Sequence, residues 1–128
     1  MKKKILIVSA NYYSQISKNL LNSAKKTLGN KFILKIINVP GAFEIPVTIS
    51  RYIKNYHGVI ALGCIIKGKT PHFNFISQAI TNSLIDLSVK NKKPIGNGIL
   101  TCLNRKQAQQ RYSKGKEAAK AVITVISL

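Results

Sequence analysis

Gly58-Val59-Ile60-Ala61-Leu62-Gly63-Cys64-Ile65-Ile66 is apolar from end to end. A strand with one wet face alternates apolar with polar residues. A run without that alternation needs cover on both faces, which is the condition of a strand inside a parallel sheet. Parallel strands in turn need crossover connections, usually helical. The next residues supply one. The loop Lys67-Gly68-Lys69-Thr70-Pro71 ends the run, and Phe73, Ile76, Ile80, Leu84 and Leu87 then mark a long helix by their spacing.

The same strand-helix unit repeats on both sides. Upstream, Lys4 to Ser9 reads as a buried strand, and Ile16, Leu20, Ala24 and Leu28 as a helix that stops at Gly29-Asn30. Phe32 to Val39 is a second strand, Pro40-Gly41-Ala42-Phe43 a loop, and Pro46 opens a helix carrying Ile49 and Ile53. Downstream, Pro94 to Thr101 is a fourth strand, with Gly96 and Gly98 allowing close backbone approach. From Lys106, the residues Ala108, Tyr112, Gly115, Ala119, Val122 and Ile126 form a stripe that fits one long helix or two parted at Gly115. The pattern predicts a three-layer α/β/α sandwich around a four-stranded parallel sheet, with right-handed crossovers.

The chain has 128 residues, 45% of them hydrophobic, which suits a single domain over 1–128 with a real core. Its apolar runs are far shorter than a membrane span, so no membrane is expected. The start, Met1-Lys2-Lys3-Lys4 followed by Ile5-Leu6-Ile7-Val8, mimics a secretory signal but runs into polar Asn11, Tyr12, Tyr13 and Ser14. A buried first strand and a cytoplasmic location are the expectation. Cys64 and Cys102 are isolated thiols in apolar stretches, and a disulfide is not expected. His57 and His72 lack metal-ligand spacing. The net charge of +18 points to nucleic acid or a membrane surface, but the basic residues are mostly lysines scattered along the chain. That dispersal predicts only non-specific attraction to nucleic acid.

In open α/β sheets, ligands bind beyond the carboxyl ends of the strands. Three loops fall there: Asn11-Tyr12-Tyr13, Pro40 to Glu44, and Lys67 to His72. The third joins a glycine, a hydroxyl and two lysines at a helix start, a setting that suits phosphate and equally describes a solvated turn. It does not match the P-loop pattern. His72 is the candidate proton shuttle at neutral pH, or a plain helix-start histidine. Glu44 either binds ligand or complements a helix dipole. Tyr12 and Phe43 are core aromatics or the two sides of a site for a flat heterocycle. Arg111, Lys114 and Glu117 are three apart, so on a continuous helix they form either a surface ion pair or an anion-binding edge facing a neighbouring subunit.

Four blocks resemble the lumazine synthase family, in order and over nearly the whole chain. They are Val39-Pro40-Gly41-Ala42-Phe43-Glu44-Ile45-Pro46, Ala61 through Lys67-Gly68-Lys69-Thr70-Pro71-His72-Phe73, Gly98-Ile99-Leu100-Thr101, and Lys114-Gly115-Lys116-Glu117-Ala118-Ala119. The resemblance implies a flavodoxin-like fold. It also implies the condensation of 5-amino-6-ribitylaminouracil with 3,4-dihydroxy-2-butanone 4-phosphate to 6,7-dimethyl-8-ribityllumazine, a transferase step of riboflavin biosynthesis that requires no metal or redox cofactor. By position, Tyr12 takes the place of a stacking phenylalanine. Phe43 and Glu44, flanked by Ala42 and Ile45, match the pair that holds the ring region and ribityl chain. Cys64, Ile65 and Ile66 match the strand end whose backbone reads the pyrimidine edge. Gly68, Lys69 and Thr70 match the phosphate loop, His72 the proton-transferring histidine, and Arg111 the arginine that reaches phosphate from the adjacent subunit. Lys114 and Glu117 match a later lysine and acidic position. The implied assembly is a homopentamer or a multiple of it.

The sequence also departs from the family. Tyr13 replaces a common asparagine, and Lys67 a usual arginine. Asn97 stands where many members carry an aromatic that lines the pocket from the next subunit. The segment between Arg111 and Lys114 is shortened, which leaves open whether Lys114 and Glu117 keep their family positions. Little remains of an N-terminal segment that in the family often joins the neighbour's sheet. These departures motivate one alternative, a non-catalytic relative binding a flavin-like ligand; the charge alone motivates another, a polyanion-binding protein.

Overall fold

The computed structural model describes residues 1–68 and 72–128. Strands β1 (Lys4–Ala10), β2 (Ile33–Val39), β3 (Gly58–Ile66) and β4 (Ile95–Cys102) form one sheet in the order β2-β1-β3-β4, parallel throughout. This is a flavodoxin-like order, with its topological switch between β1 and β3. The helices among the described residues are α1 (Ser14–Leu28), α2 (Ile45–Tyr52), α3 (His72–Asn91), α4 (Arg105–Gln110) and α5 (Lys114–Ile126).

The unbroken apolar run of β3 is covered on both sides. Ile60, Leu62 and Cys64 pack with Ile5, Ile7 and Leu100 against Leu20 and Ala24 of α1 and Ala119 and Val122 of α5. Val59 and Ala61 pack with Leu6, Val8 and Ile99 against Ile45 and Ile49 of α2 and Ile80 and Leu84 of α3. Each such Leu, Ile or Val contributes about 1.5–3 kcal/mol relative to leaving it in water. Strand positions match the sequence reading to within a residue or so.

The C-terminal stripe is two helices, but they do not part at Gly115. The break falls at residues 111–113, and Gly115 is buried inside α5. A Cβ there would meet the carbonyl oxygen of Leu20, so glycine is what lets α5 touch the α1 backbone. Gly96 plays the same part between β4 and α5, where a Cβ would meet the carbonyl oxygen of Ala118. His57 is exposed, yet it braces the sheet. Its Nδ1 accepts the Lys4 N–H at 2.9 Å, and its own N–H donates to the Lys4 carbonyl at 2.8 Å.

Helix α3 buries Ile80 and Leu84, yet Phe75, Ile85 and Val89 are 67%, 57% and 72% exposed. At about 100° per residue these three fall on one stripe, opposite the side that faces the core. The helix is therefore apolar on two sides, and one of them is left uncovered.

Candidate functional site

The sequence-derived site residues divide between two surfaces. The first is the region beyond the carboxyl ends of β1, β2 and β3, where Phe43 and Glu44 also border a cavity of about 470 Å³ with Ala79, Ile80 and Ser83 of α3. Ala10 pairs with Val39, and the Asn11 N–H donates to the Val39 carbonyl at 2.9 Å. Tyr12 and Phe43 follow from these neighbouring strand ends and are 75% and 71% exposed. Neither is a core aromatic, which removes the plainer of the two readings. Tyr13 is half-buried, edge-on to Tyr12 with ring centroids 4.9 Å apart, and the Arg105 guanidinium sits 5.2 Å from its ring centre. Burial, then Tyr12 and Cys64, push the Tyr13 phenol above its ordinary value, against a smaller pull from Arg105.

Ala42–Glu44 forms a 3-10 turn leading into α2. One Glu44 carboxylate oxygen, Oε1, accepts the Gly41 N–H at 2.9 Å, so the carboxylate closes its own loop. Its role is thus at least partly the local one. Ala42 is half-buried beside it, and Ile45 is fully buried in the core.

The end of β3 carries the most informative geometry. Pairing with β1 stops at Ser9 and Leu62, while pairing with β4 continues to Ile66 and Cys102. The Val59 N–H bonds the Pro94 carbonyl and the Lys67 N–H the Cys102 carbonyl, so odd-numbered residues face β4. The Cys64 carbonyl and both peptide groups of Ile66 therefore point to the β1 side, past the last β1–β3 pair. A row of backbone donors and acceptors at a crevice can read the edge of a heterocycle. The Cys64 side chain points into the core, in the cluster that also holds Cys102. Burial foremost, then the Cys102 thiol, push the Cys64 thiol up to about 12. It stays protonated at neutral pH and is no nucleophile. Both cysteines are free.

Gly68 is exposed beyond this strand, and His72 is the exposed first residue of α3. Lys69 and Thr70 lie outside the described residues.

The second surface is a groove of about 400 Å³ along the β4 edge, between α3 and α5. It gathers Asn97, Arg111, Lys114 and Glu117, with Ile65 at its inner end. Across the shortened segment α5 begins at Lys114, and Lys114 and Glu117 line the same groove as Arg111. Arg111 itself precedes α5, so the shared edge does not require one continuous helix. Asn97 Oδ1 accepts the Ile99 N–H at 3.0 Å, covering a donor that the edge strand presents outward.

Sequence reasoning missed several lining residues here: Ser77, Thr81, Thr101, Gln110 and Ser113. Ser77 Oγ is buried with no hydrogen-bond partner among the described residues. Thr101 lies in the block Gly98 to Thr101, and Gln110 and Ser113 lie near Arg111, which are the only signals that pointed to them. Among the described residues no group of three or more His, Cys, Asp or Glu is placed to hold a metal ion, and no helix is long and apolar enough to cross a membrane.

The family model described as 6,7-dimethyl-8-ribityllumazine synthase matches residues 2–128. A 6,7-dimethyl-8-ribityllumazine synthase of Bartonella henselae is 42% identical, covering 99% of this chain and 88% of its own length. Those of Bartonella bacilliformis and Arthrobacter sp. are 41% and 37% identical, covering 97% and 98% of this chain and 88% and 84% of theirs.

Proposed function

The chain belongs to the 6,7-dimethyl-8-ribityllumazine synthase family and is a transferase of riboflavin biosynthesis; on that premise we propose how its two surfaces carry the reaction. The amine of 5-amino-6-ribitylaminouracil attacks the ketone of 3,4-dihydroxy-2-butanone 4-phosphate. Water is lost as the imine forms, phosphate leaves, and ring closure with loss of a second water gives 6,7-dimethyl-8-ribityllumazine.

The crevice of one protomer holds the pyrimidine. Tyr12 and Phe43 flank the ring, the backbone at Cys64 and Ile66 reads its edge, while Ile65, expected to share that role, turns its N–H and C=O to β4, and Glu44 with Ala42 meets the ribityl chain. Gly68, Lys69 and Thr70 receive the ketose phosphate on the same protomer. The neighbouring protomer's β4-edge groove brings Arg111 and Lys114 to that phosphate and Asn97 to the ring. Arg111 offers a charge-assisted fork to phosphate oxygens, and both cations stabilise the departing dianion. His72 moves protons between the amine, the carbinolamine and the leaving oxygen. Both reactants bring their own reactivity, so orientation supplies most of the acceleration, on the order of 7–11 kcal/mol by intramolecular precedent.

The observation that supports this reading is that Arg111 lines the β4-edge groove while His72, at the start of α3 beyond β3, is not among that groove's lining residues. The uncovered stripe Phe75, Ile85 and Val89 on α3 supports association with further copies. We assign a homopentamer or a multiple of it. The domain spans 1–128, and two free, buried thiols fit the reducing cytoplasm.

Incubating the protein with both substrates yields the fluorescent lumazine if the assignment of the reaction holds. A sharper test mixes His72→Ala and Arg111→Ala protomers after dissociation and reassembly. A site shared between neighbours regains intact copies in the mixture, and activity exceeds the mean of the parents. Activity no higher than that mean places all the residues of a site on one chain and removes the shared-site reading.

A further inference from the structure

We propose that the groove between α1 and α5 is a second anion site, one that binds a free oligophosphate. It has a volume of about 860 Å³ and is lined by Asn19, Asn22 and Lys26 from α1 and by Tyr112, Lys116 and Lys120 from the α5 side. It is separate from the β4-edge groove that the proposed reaction uses, and shares with it only the wall at Ser113.

The two helices that wall this groove are held closely together. Gly115 brings the α5 backbone against the Leu20 carbonyl, and the Lys116 N–H donates to Ser23 Oγ at 3.0 Å. Lys116 and Lys120 are one helical turn apart on α5, and Lys26 faces them from α1. Three ammonium groups therefore border one groove whose lining contains no carboxylate. Around them stand the amides of Asn19 and Asn22 and the Tyr112 hydroxyl, all able to donate.

The chain's three acidic side chains lie elsewhere on the protomer: Glu44 beyond β2, Asp86 on α3, and Glu117 in the other groove. A ligand with several adjacent negative charges supplies what the groove's lining lacks, and consecutive phosphates in a row match lysines set along two helices. The groove lies on the α1/α5 side of the sheet, away from the uncovered stripe of α3, and it shares with the β4-edge groove, where the neighbour is proposed to dock, only Ser113. Tyr112, 54% exposed at one end, offers a face on which a nucleotide base can stack.

The test is calorimetric titration of the full chain with inorganic tripolyphosphate and with ATP at about 0.15 M salt. The wild type binds at least one of them, and Lys26→Gln/Lys116→Gln/Lys120→Gln loses about tenfold to a hundredfold in affinity. A control removing equal charge elsewhere, Lys35→Gln/Lys54→Gln/Lys90→Gln, stays within about twofold of wild type. ATP binding tighter than tripolyphosphate, with the difference erased by Tyr112→Ala, identifies a nucleotide; equal binding identifies the phosphate chain alone. Equal losses in the two triple variants reduce the effect to net charge and overturn the proposal. So does binding that disappears in Arg111→Ala, which would place the ligand in the other groove. Binding of single-stranded RNA with neither small ligand overturns it too.

Discussion

The crevice at the strand ends and the groove at the β4 edge are built on opposite plans. The crevice comes from continuous stretches of chain, each folding onto itself: Glu44 closes its loop on Gly41, and β3 simply outruns β1 by several residues. The groove is assembled from α3, β4, the turn after α4 and the start of α5, and it exists only while β4 and α5 stay in contact. The first is local and robust. The second depends on long-range packing, and the proposed reaction asks it to serve a neighbour.

The largest effect is expected where that dependence is cut. In Gly96→Val, the new Cβ meets the Ala118 carbonyl and drives α5 from β4, because backbone cannot yield as a side chain can. We expect a loss of about 3 kcal/mol in denaturant unfolding. Arg111 and Lys114 then lose their alignment with Asn97 while the crevice keeps its own. Any folded remainder still binds a ribityl-pyrimidine analogue but no longer responds to phosphate. Loss of both together would show that the crevice is no more independent than the groove.

Next in size is a kinetic split. His72→Ala lowers kcat by about a hundredfold, the lower end for a lost proton-transfer group. Arg111→Ala raises KM for the ketose phosphate by about tenfold to a hundredfold and leaves KM for the pyrimidine nearly unchanged. Steady-state kinetics decide it: equal effects of both variants on both constants would erase the division of labour.

This difference in plan also explains what was legible in advance. The β3 run announced a parallel sheet because nothing but double burial tolerates nine residues without a polar face. The loops at strand ends followed from topology, and the phosphate-suited composition of Lys67 to Thr70 was visible in a contiguous stretch. Ser77, Thr81 and Gln110 were not, because their common groove is a property of packed surfaces and has no period along the chain. The C-terminal helices show the same limit. A glycine in a helical stripe reads as a break, yet Gly115 is the point of tightest helix contact, and only the presence of α1 against it decides between the two. Tyr12 and Phe43 were ambiguous for the same reason: exposure is a tertiary fact.

A smaller effect separates backbone from side chain at the end of β3. Cys64 is raised from an ordinary 9.0 to about 12 in the folded chain. Between those values the unfolded chain has lost its proton and the folded chain has kept it. Stability is therefore intact below pH 9 and falls as pH rises through that window. In Cys64→Ala this part of the alkaline decline disappears from unfolding curves, while pyrimidine binding at neutral pH persists because the peptide group is unchanged. Loss of binding with the fold intact would mean that the thiol itself touches the ligand.

The smallest change tests whether the groove reaches into the neighbour's crevice at all. Asn97 spends its side-chain oxygen on the Ile99 N–H, a bond worth about 1 kcal/mol at most on a strand edge. Asn97→Phe gives up that bond and puts a ring on an exposed position of β4. If the groove closes over the pyrimidine of the next protomer, the ring adds an aromatic contact of about 0.5–1.5 kcal/mol, and KM for the pyrimidine falls about threefold. The phosphate constant, set by Arg111 and Lys114, does not move. The added apolar surface would make the isolated protomer less soluble and the assembly tighter, so size in solution and KM should shift together. A KM that stays put while the assembly tightens would place Asn97 at the interface but outside the site, and the groove would then contribute charge to its neighbour's chemistry and nothing to its recognition of the ring.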